Sequence, residues 1–522
     1  MPRPALPLRP AAAAVVGALT LLLAGCGGGG GADPGPIVIA PDDNGRGSIV
    51  EPPSQVARIS ADEFKSLLDV DDVGKELKTV AGDPLCGVDL RYLQYRTVDA
   101  KGNVVNATAA IMVPAGTDAG CNGARPVVLY GHGTNVARDY NIAKWVDPNQ
   151  PAAGEGLIVA AMFAAQGYIV VAPNYVGYDK STVNYHPFLN GEQQGKDMVD
   201  ALVAARKTFT AIGATGSNSL LVTGYSEGGY TAMAAHREMQ RSGMPLTASA
   251  PLSAPTAISL LMDYNYNGWP PLGATVFTPM LATSWQQQFG NVYGSTGDIF
   301  EAQYATGIDT LLPTTMSSSE LFASGRLPQY AMFAADAQPG PINAQAAQFY
   351  GANNLVRQSF LAQYASDIAA NPCAGNAMPL TSAAARASDP LDCKPLVGFR
   401  QAAVANDLRN WLPARPVLMC GGAQDPTVNF ASTTATAGYF SAHGMDPSLL
   451  TVVDLEESGL NDAYAQQRAD FATAKAKKAA DSGSTPEMQA QGVAGAYHGT
   501  LVPPYCLVAA RKFFNSVVGA GL

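Results

Sequence analysis

Charge is scarce in this chain of 522 residues. Asp, Glu, Lys and Arg together make up 14% of it, against about a quarter in an average globular protein. The 32 basic residues are outnumbered by 42 acidic ones, for a formal net charge of −10. Gripping a phosphate backbone takes an extended Lys/Arg surface, so nucleic acid is excluded as a partner. Histidine is also rare, at five residues. There is no His-Glu-x-x-His pattern, no cysteine pairing at zinc spacing and no calcium-loop spacing, so neither metal nor cofactor is expected. The apolar run Ala11 to Leu23 has 13 residues and would rise only about 20 Å as a helix, too short to cross a bilayer. No internal repeat is evident. What is abundant is apolar: 47% of the residues are hydrophobic, which sets aside a disordered chain and allows a large core of one to three domains.

Seven cysteines is an odd number. Arg3 and Arg9 precede the short apolar run, and Leu23-Ala24-Gly25-Cys26 follows it. This layout reads as an export signal, and the tetrapeptide resembles a bacterial lipobox. The resemblance implies cleavage before Cys26, lipid on its sulfur, and a membrane partner reached through that anchor. The expected location is the bacterial cell envelope, facing the periplasm or the surface, with the outer membrane included. Residues 1–25 are then signal peptide, and the Gly/Pro/Asp-rich stretch 26–55 a flexible tether. Cys86, Cys121, Cys373, Cys393, Cys420 and Cys506 remain, an even set that in an exported protein reads as disulfides.

The stretch from Leu90 to Pro114 alternates as a hairpin around Asp99-Ala100-Lys101-Gly102-Asn103. Short runs apolar on both faces follow at Pro126–Tyr130, Tyr168–Ala172, Leu220–Thr223, Pro416–Met419 and Leu449–Leu455, as a parallel sheet covered on both sides requires. Apolar residues at Met198, Leu202, Ala205, Phe209 and Ile212 mark a helix between the second and third of the parallel runs. Strand and helix alternate, which argues for an α/β sheet. Residues 257–399 carry helical pieces without convincing strands. They read as a helical insertion between two core segments, 56–256 and 400–522, with Cys373 and Cys393 stapling one of its loops.

Gly224-Tyr225-Ser226-Glu227-Gly228 matches G-x-S-x-G. With 53 glycines in the chain the string alone means little, but an apolar strand runs into it and a helix pattern closed by Gly243 runs out. That context makes Ser226 a candidate nucleophile on a tight strand-to-helix turn. A serine needs a base oriented by a carboxylate. His498 lies beyond the last apolar run, on an expected loop before a C-terminal helix. His443 reads as a surface turn, and His132 as a brace for its own loop. Asp425 follows the Pro416–Met419 run, with Asp454 and Glu456 as the other candidates for the acid. The developing oxyanion needs N–H donors, and these are expected from Glu227 and from Thr134, with Gly133 close behind.

With these elements in this order, the chain resembles the α/β-hydrolase superfamily from about Leu90 to Val518. The long insertion, the Gly-Tyr-Ser-x-Gly-Gly elbow and Tyr175-Val176-Gly177-Tyr178 look like the secretory lipase family. The resemblance implies an α/β-hydrolase fold, a mostly parallel sheet with helices on both faces and a large helical lid. In that fold Cys420 ends the strand leading to Asp425 and Cys506 starts the helix after His498. They are expected to pair, leaving Cys86 with Cys121 and Cys373 with Cys393. The helical stretch Leu460–Lys478, between acid and base, departs from the family pattern.

From Ser259 to Val356 Arg326 is the sole basic residue, set among aromatics such as Trp269, Phe277, Trp285, Phe289 and Tyr293. A pocket for an anionic substrate normally supplies Arg or Lys. The expected activity is therefore hydrolysis of carboxylic esters with an uncharged, apolar acyl group, on a small-molecule or lipid ester. A serine peptidase or aminopeptidase, and a non-catalytic surface binding module, are the alternatives.

Overall fold

The computed structural model describes residues 45–519 apart from 339–343, 379 and 381. The expected leader, Cys26 and the tether up to residue 44 lie outside the described residues.

Among the described residues, nine strands form one sheet in the order β1-β2-β3-β5-β4-β6-β7-β8-β9. They are β1 (Ile49–Ile59), β2 (Gly87–Val98), β3 (Val104–Ala115), β4 (Ala124–Gly131), β5 (Ile169–Pro173), β6 (Thr215–Tyr225), β7 (Ala248–Leu252), β8 (Val417–Gly421) and β9 (Leu450–Asp454). The first three pair antiparallel, β3 meets β5 antiparallel, and β5 through β9 run parallel. Every residue of β5, β7 and β8 is buried, which is why these runs are apolar without alternating. Helices Gly191–Thr208 and Glu227–Ser242 pack on one another and on the sheet, while Asp72–Ala81, Ala153–Met162 and Val502–Val518 form a second group, its last helix against β6, β7 and β8.

The tether expected to run to residue 55 ends earlier, because Ile49–Ile59 pairs with β2 as an edge strand. Pro52 and Pro53 disguise it in the sequence. Proline cannot donate to a ladder and is tolerated only at edges and irregularities, and here the register slips between Glu51 and Ser54.

Between β7 and β8 the described chain adds no strand to the sheet. Helices Ile258–Tyr266, Ala274–Phe289, Gln358–Ala370 and Gly398–Ala405 gather around Tyr266, whose ring meets those of Phe333, Phe360, Tyr364 and Phe399. Some of this region's charge is buried and paired. Arg400 grips Asp263 through two bonds of 2.8 and 2.9 Å, and Arg409 grips Asp407 at 2.9 Å. Disulfides join Cys86 to Cys121, Cys373 to Cys393 and Cys420 to Cys506, the three pairings expected. Such a set is stable in an oxidising compartment outside the cytosol.

Candidate active site

Strand order reverses around β4: its successor β5 lies on one side and β6 on the other. In open α/β sheets the crevice beyond such a reversal is where ligands bind. The loop His132-Gly133-Thr134 leaves β4 there, and the Ser226 turn leaves β6.

Ser226 sits at φ 60° and ψ −123°, a backbone conformation that costs a non-glycine residue about 1–3 kcal/mol. Its surroundings enforce it. Ser226 N–H donates to Leu252 O at 2.9 Å, and helix Glu227–Ser242 starts immediately. The flanking glycines are required by close backbone approach: a Cβ at Gly224 would lie 2.2 Å from Gly228 O, and one at Gly228 would lie 1.9 Å from Gly131 O.

Ser226 Oγ is 2.8 Å from His498 Nε2, and His498 Nδ1 is 2.7 Å from Asp425 Oδ2. The other Asp425 oxygen accepts from the N–H groups of Thr427 and Val428 at 2.9 and 3.0 Å, which fixes the carboxylate plane. His498 is not on the expected loop. It lies in a π-helical turn, Tyr497–Leu501, that joins helix Pro486–Ala496 to helix Val502–Val518, with Val502 N–H reaching Tyr497 O. A π-turn inserted between helices leaves the helical pattern nearly unbroken, so glycines at 495 and 499 read as a loop; such turns gather at functional sites.

Asp454 and Glu456, the other acid candidates, brace the site. Asp454 Oδ1 accepts from Ala423 N–H at 3.0 Å, and Glu456 accepts from Tyr497 Oη at 2.6 Å while pairing with Lys475. Burial pushes the Asp454 carboxyl up. His443 caps a helix on the surface.

Among the described residues, the N–H groups of Thr134 and Glu227 have no partner within the chain, and both residues line the cavity beside Ser226. Gly133 is the correction. Its N–H donates to Glu155 Oε1 at 2.9 Å, so it is already committed. Glu155 also accepts from Tyr130 and Tyr140 Oη at 2.9 and 3.1 Å and so holds the loop by three donors. His132 is buried between the rings of Tyr140 and Tyr175, at 4.2 and 4.1 Å, with ring nitrogens facing Gly133 O and Asn174 O. Burial lowers its pKa. With both ring nitrogens engaged by backbone carbonyls it braces the loop.

Three residues escaped the sequence reading. Tyr225 Oη donates to His498 O at 2.6 Å, and the tyrosine inside the elbow motif was its only signal. Glu155 gave none. His186 meets the Glu227 carboxylate, which also accepts from Gln194 Nε2 at 2.7 Å; nothing in the sequence links positions 186 and 227.

Two cavities meet at Ser226. One, of about 300 Å³, opens toward the helical insertion past Phe188, Leu261, Met262, Trp269 and Phe349. The other, of about 390 Å³, is walled by Tyr130, Glu155, Ile158, His498 and Leu507. Thr134, Ser226 and Phe277 border both. Among the described residues, neither has a Lys or Arg on its wall, and no group of three or more His, Cys, Asp or Glu suited to a metal occurs.

A sequence model described as the prolyl oligopeptidase family matches residues 158–251, the segment from helix Ala153–Met162 through the elbow to β7. No curated protein matches the chain. Among solved structures, a rice cell wall degrading esterase, LipA from Xanthomonas oryzae, superposes with TM-score 0.65 at 22% identity over 90% of this chain and 98% of that one. A putative hydrolase from Legionella pneumophila superposes with TM-score 0.59 at 16% identity, over the same shares. At these identities the likeness concerns the fold, which is that of the α/β-hydrolases.

Proposed function

We propose that the protein is a serine hydrolase acting on carboxylic esters with an uncharged, apolar acyl group. The observation that carries the reading is the continuous chain Ser226 Oγ, His498 Nε2, His498 Nδ1, Asp425 Oδ2, with bonds of 2.8 and 2.7 Å. His498 takes the Ser226 proton as the oxygen attacks the carbonyl carbon, and Asp425 stabilises the resulting imidazolium. The N–H groups of Thr134 and Glu227 receive the oxyanion. His498 returns the proton to the departing alcohol, and the acyl-enzyme is released by water that His498 deprotonates in turn. The esterase and hydrolase among the structural neighbours support this reading. We further propose anchoring to the bacterial envelope through lipid at Cys26.

The family match favours a peptidase as second reading, but its residues hold the elbow that ester and peptide hydrolysis share. An aminopeptidase holds its substrate's free amine on the acyl side. Among the described residues, the carboxylates around the insertion-side cavity are Asp425 and Glu227, and both are engaged, by His498 and His186. Asp263 of the insertion is neutralised by Arg400. Ser226→Ala is expected to abolish nitrophenol release from nitrophenyl butyrate, and labelling of the intact protein by a fluorophosphonate to vanish with it. Hydrolysis of a peptide panel with no turnover of the ester would replace this reading by the second one.

A further inference from the structure

The two cavities at Ser226 differ in one respect that the reaction uses: His498 is on the wall of the second cavity only. Resting on the ester-hydrolase reading, we infer that this second cavity, between helix Ala153–Met162 and the His498 turn, is a binding site for a bulky, uncharged alcohol or phenol leaving group. The insertion-side cavity then holds the acyl group.

The assignment follows from where the proton must go. When the tetrahedral intermediate collapses, the bond between carbonyl carbon and ester oxygen breaks, and that oxygen takes its proton from His498 Nε2. A general acid works within about 3 Å of its target, so the leaving oxygen faces His498, and whatever it carries extends into the cavity that His498 walls. The acyl carbon stays bonded to Ser226 Oγ, and its chain occupies the remaining space, beside Leu261, Met262 and Phe349. Water for deacylation enters where the alcohol left, since His498 must deprotonate it too.

Size and chemistry follow from the walls. At about 390 Å³ the cavity falls in the range of sites for drug-sized ligands, far more than methanol or ethanol needs. Ile158, Tyr130, Pro503 and Leu507 are apolar or have their polar atom engaged. Among the described residues, the acid on this wall outside the reacting set is Glu155, and no cation balances it there. An alcohol bearing a carboxylate or phosphate would meet repulsion without a compensating donor.

Two glycines make the test clean. Gly154 and Gly499 line this cavity, and a Cβ on either meets no atom within 4 Å. Gly154→Trp fills the cavity from a helix surface, away from the reacting groups; Ile158→Trp is the second variant. Both are expected to lower kcat/KM for 2-naphthyl acetate at least tenfold and for methyl acetate less than twofold. The ratio of rates on nitrophenyl acetate and nitrophenyl octanoate, which share one leaving group, should be unchanged in both. Leu261→Trp in the other cavity should instead penalise nitrophenyl octanoate against nitrophenyl acetate. With the wild-type protein, 4-acetoxybenzoate should react at least tenfold more slowly than its methyl ester. Sensitivity to acyl length in Gly154→Trp, or equal losses on both acetates, overturns the assignment while leaving ester hydrolysis intact. Absence of wild-type esterase activity would overturn the underlying reading instead.

Discussion

The residue after the nucleophile is held by an ion pair whose loss should be felt asymmetrically. His186 Nδ1 is 3.0 Å from Val176 O and its Nε2 meets Glu227 Oε1. Both partners are acceptors, so the ring is clasped between a carbonyl and a carboxylate. The side chains are 1% and 0% exposed. Burial alone would raise the Glu227 carboxyl, but the charge and hydrogen bond of His186 outweigh it and hold the carboxyl below its ordinary 4.5. His186→Ala strands the carboxylate, leaving Gln194 Nε2 on one oxygen and nothing on Oε2; removing one partner of a buried pair costs about 3–5 kcal/mol. Glu227→Gln removes the charge instead. His186 keeps its bond to Val176 O and can meet the new amide, and the cost falls to about 1–2 kcal/mol, that of a charged hydrogen bond turned neutral. Urea unfolding at pH 7 separates the two. Because the folded pKa of Glu227 is depressed, the pair's stabilisation is present above 4.5 and is lost as pH falls through the folded value. The deficit of His186→Ala should therefore shrink on acidification below 4.5. Since the Glu227 N–H is the proposed oxyanion donor, the same variant should lower kcat by up to about 100-fold with KM little changed. Equal costs for the two variants, or a deficit independent of pH, would refute the ion pair.

Asp425→Asn should keep the fold, since one side-chain oxygen remains to accept from Thr427 and Val428, but lower kcat on nitrophenyl butyrate by about 10⁴ through loss of the His498 tautomer and its counter-charge. Replacing Cys420 and Cys506 together by Ala opens a loop of sequence separation 86, worth about 4–5 kcal/mol in the chain-entropy model; thermal inactivation of esterase activity should drop by several degrees. The Cys373/Cys393 pair, with separation 20, should cost about 3 kcal/mol and leave the temperature dependence of kcat below the unfolding transition unaltered.

Parts of the molecule were legible from the sequence where one local pattern admits one structure. The parallel strands announce themselves because burial on both faces demands unbroken apolar runs, and the Ser226 turn because strand, glycines and helix leave the chain no other geometry. Asp425 and the disulfide from Cys420 to Cys506 followed from placing those strands in order. The β1 edge did not, since Pro52 and Pro53 imitate a linker. The π-turn carrying His498 did not either, because one extra residue per turn leaves no periodic trace and the nearby glycines suggest a loop. The preference for Thr134 over Gly133 had little to rest on in the sequence, because Glu155, which occupies the Gly133 N–H, lies more than twenty positions away.

Holding the base on a helical turn rather than a loop changes what sets the distance between acid and base. Three restraints converge on this turn. Tyr225 Oη fixes the His498 carbonyl from the elbow itself, Tyr497 Oη is tied to Glu456 beyond β9, and Cys506 is bonded to the end of β8. The Asp425 loop is built against the same anchors. Gly422 packs so closely on Tyr497 that a Cβ there would lie 2.2 Å from its hydroxyl, and Ala423 is held by Asp454. Acid and base therefore do not float toward one another from separate loops. They are referenced to one patch at the ends of β8 and β9, and a disturbance there, at Gly422 or Tyr497, moves both together while leaving Ser226 on its own strand. The bond from Ser226 to His498 is consequently the adjustable one, and the Tyr225 hydroxyl, bridging the elbow to the His498 turn, is the contact that ties the nucleophile's strand to the other two residues.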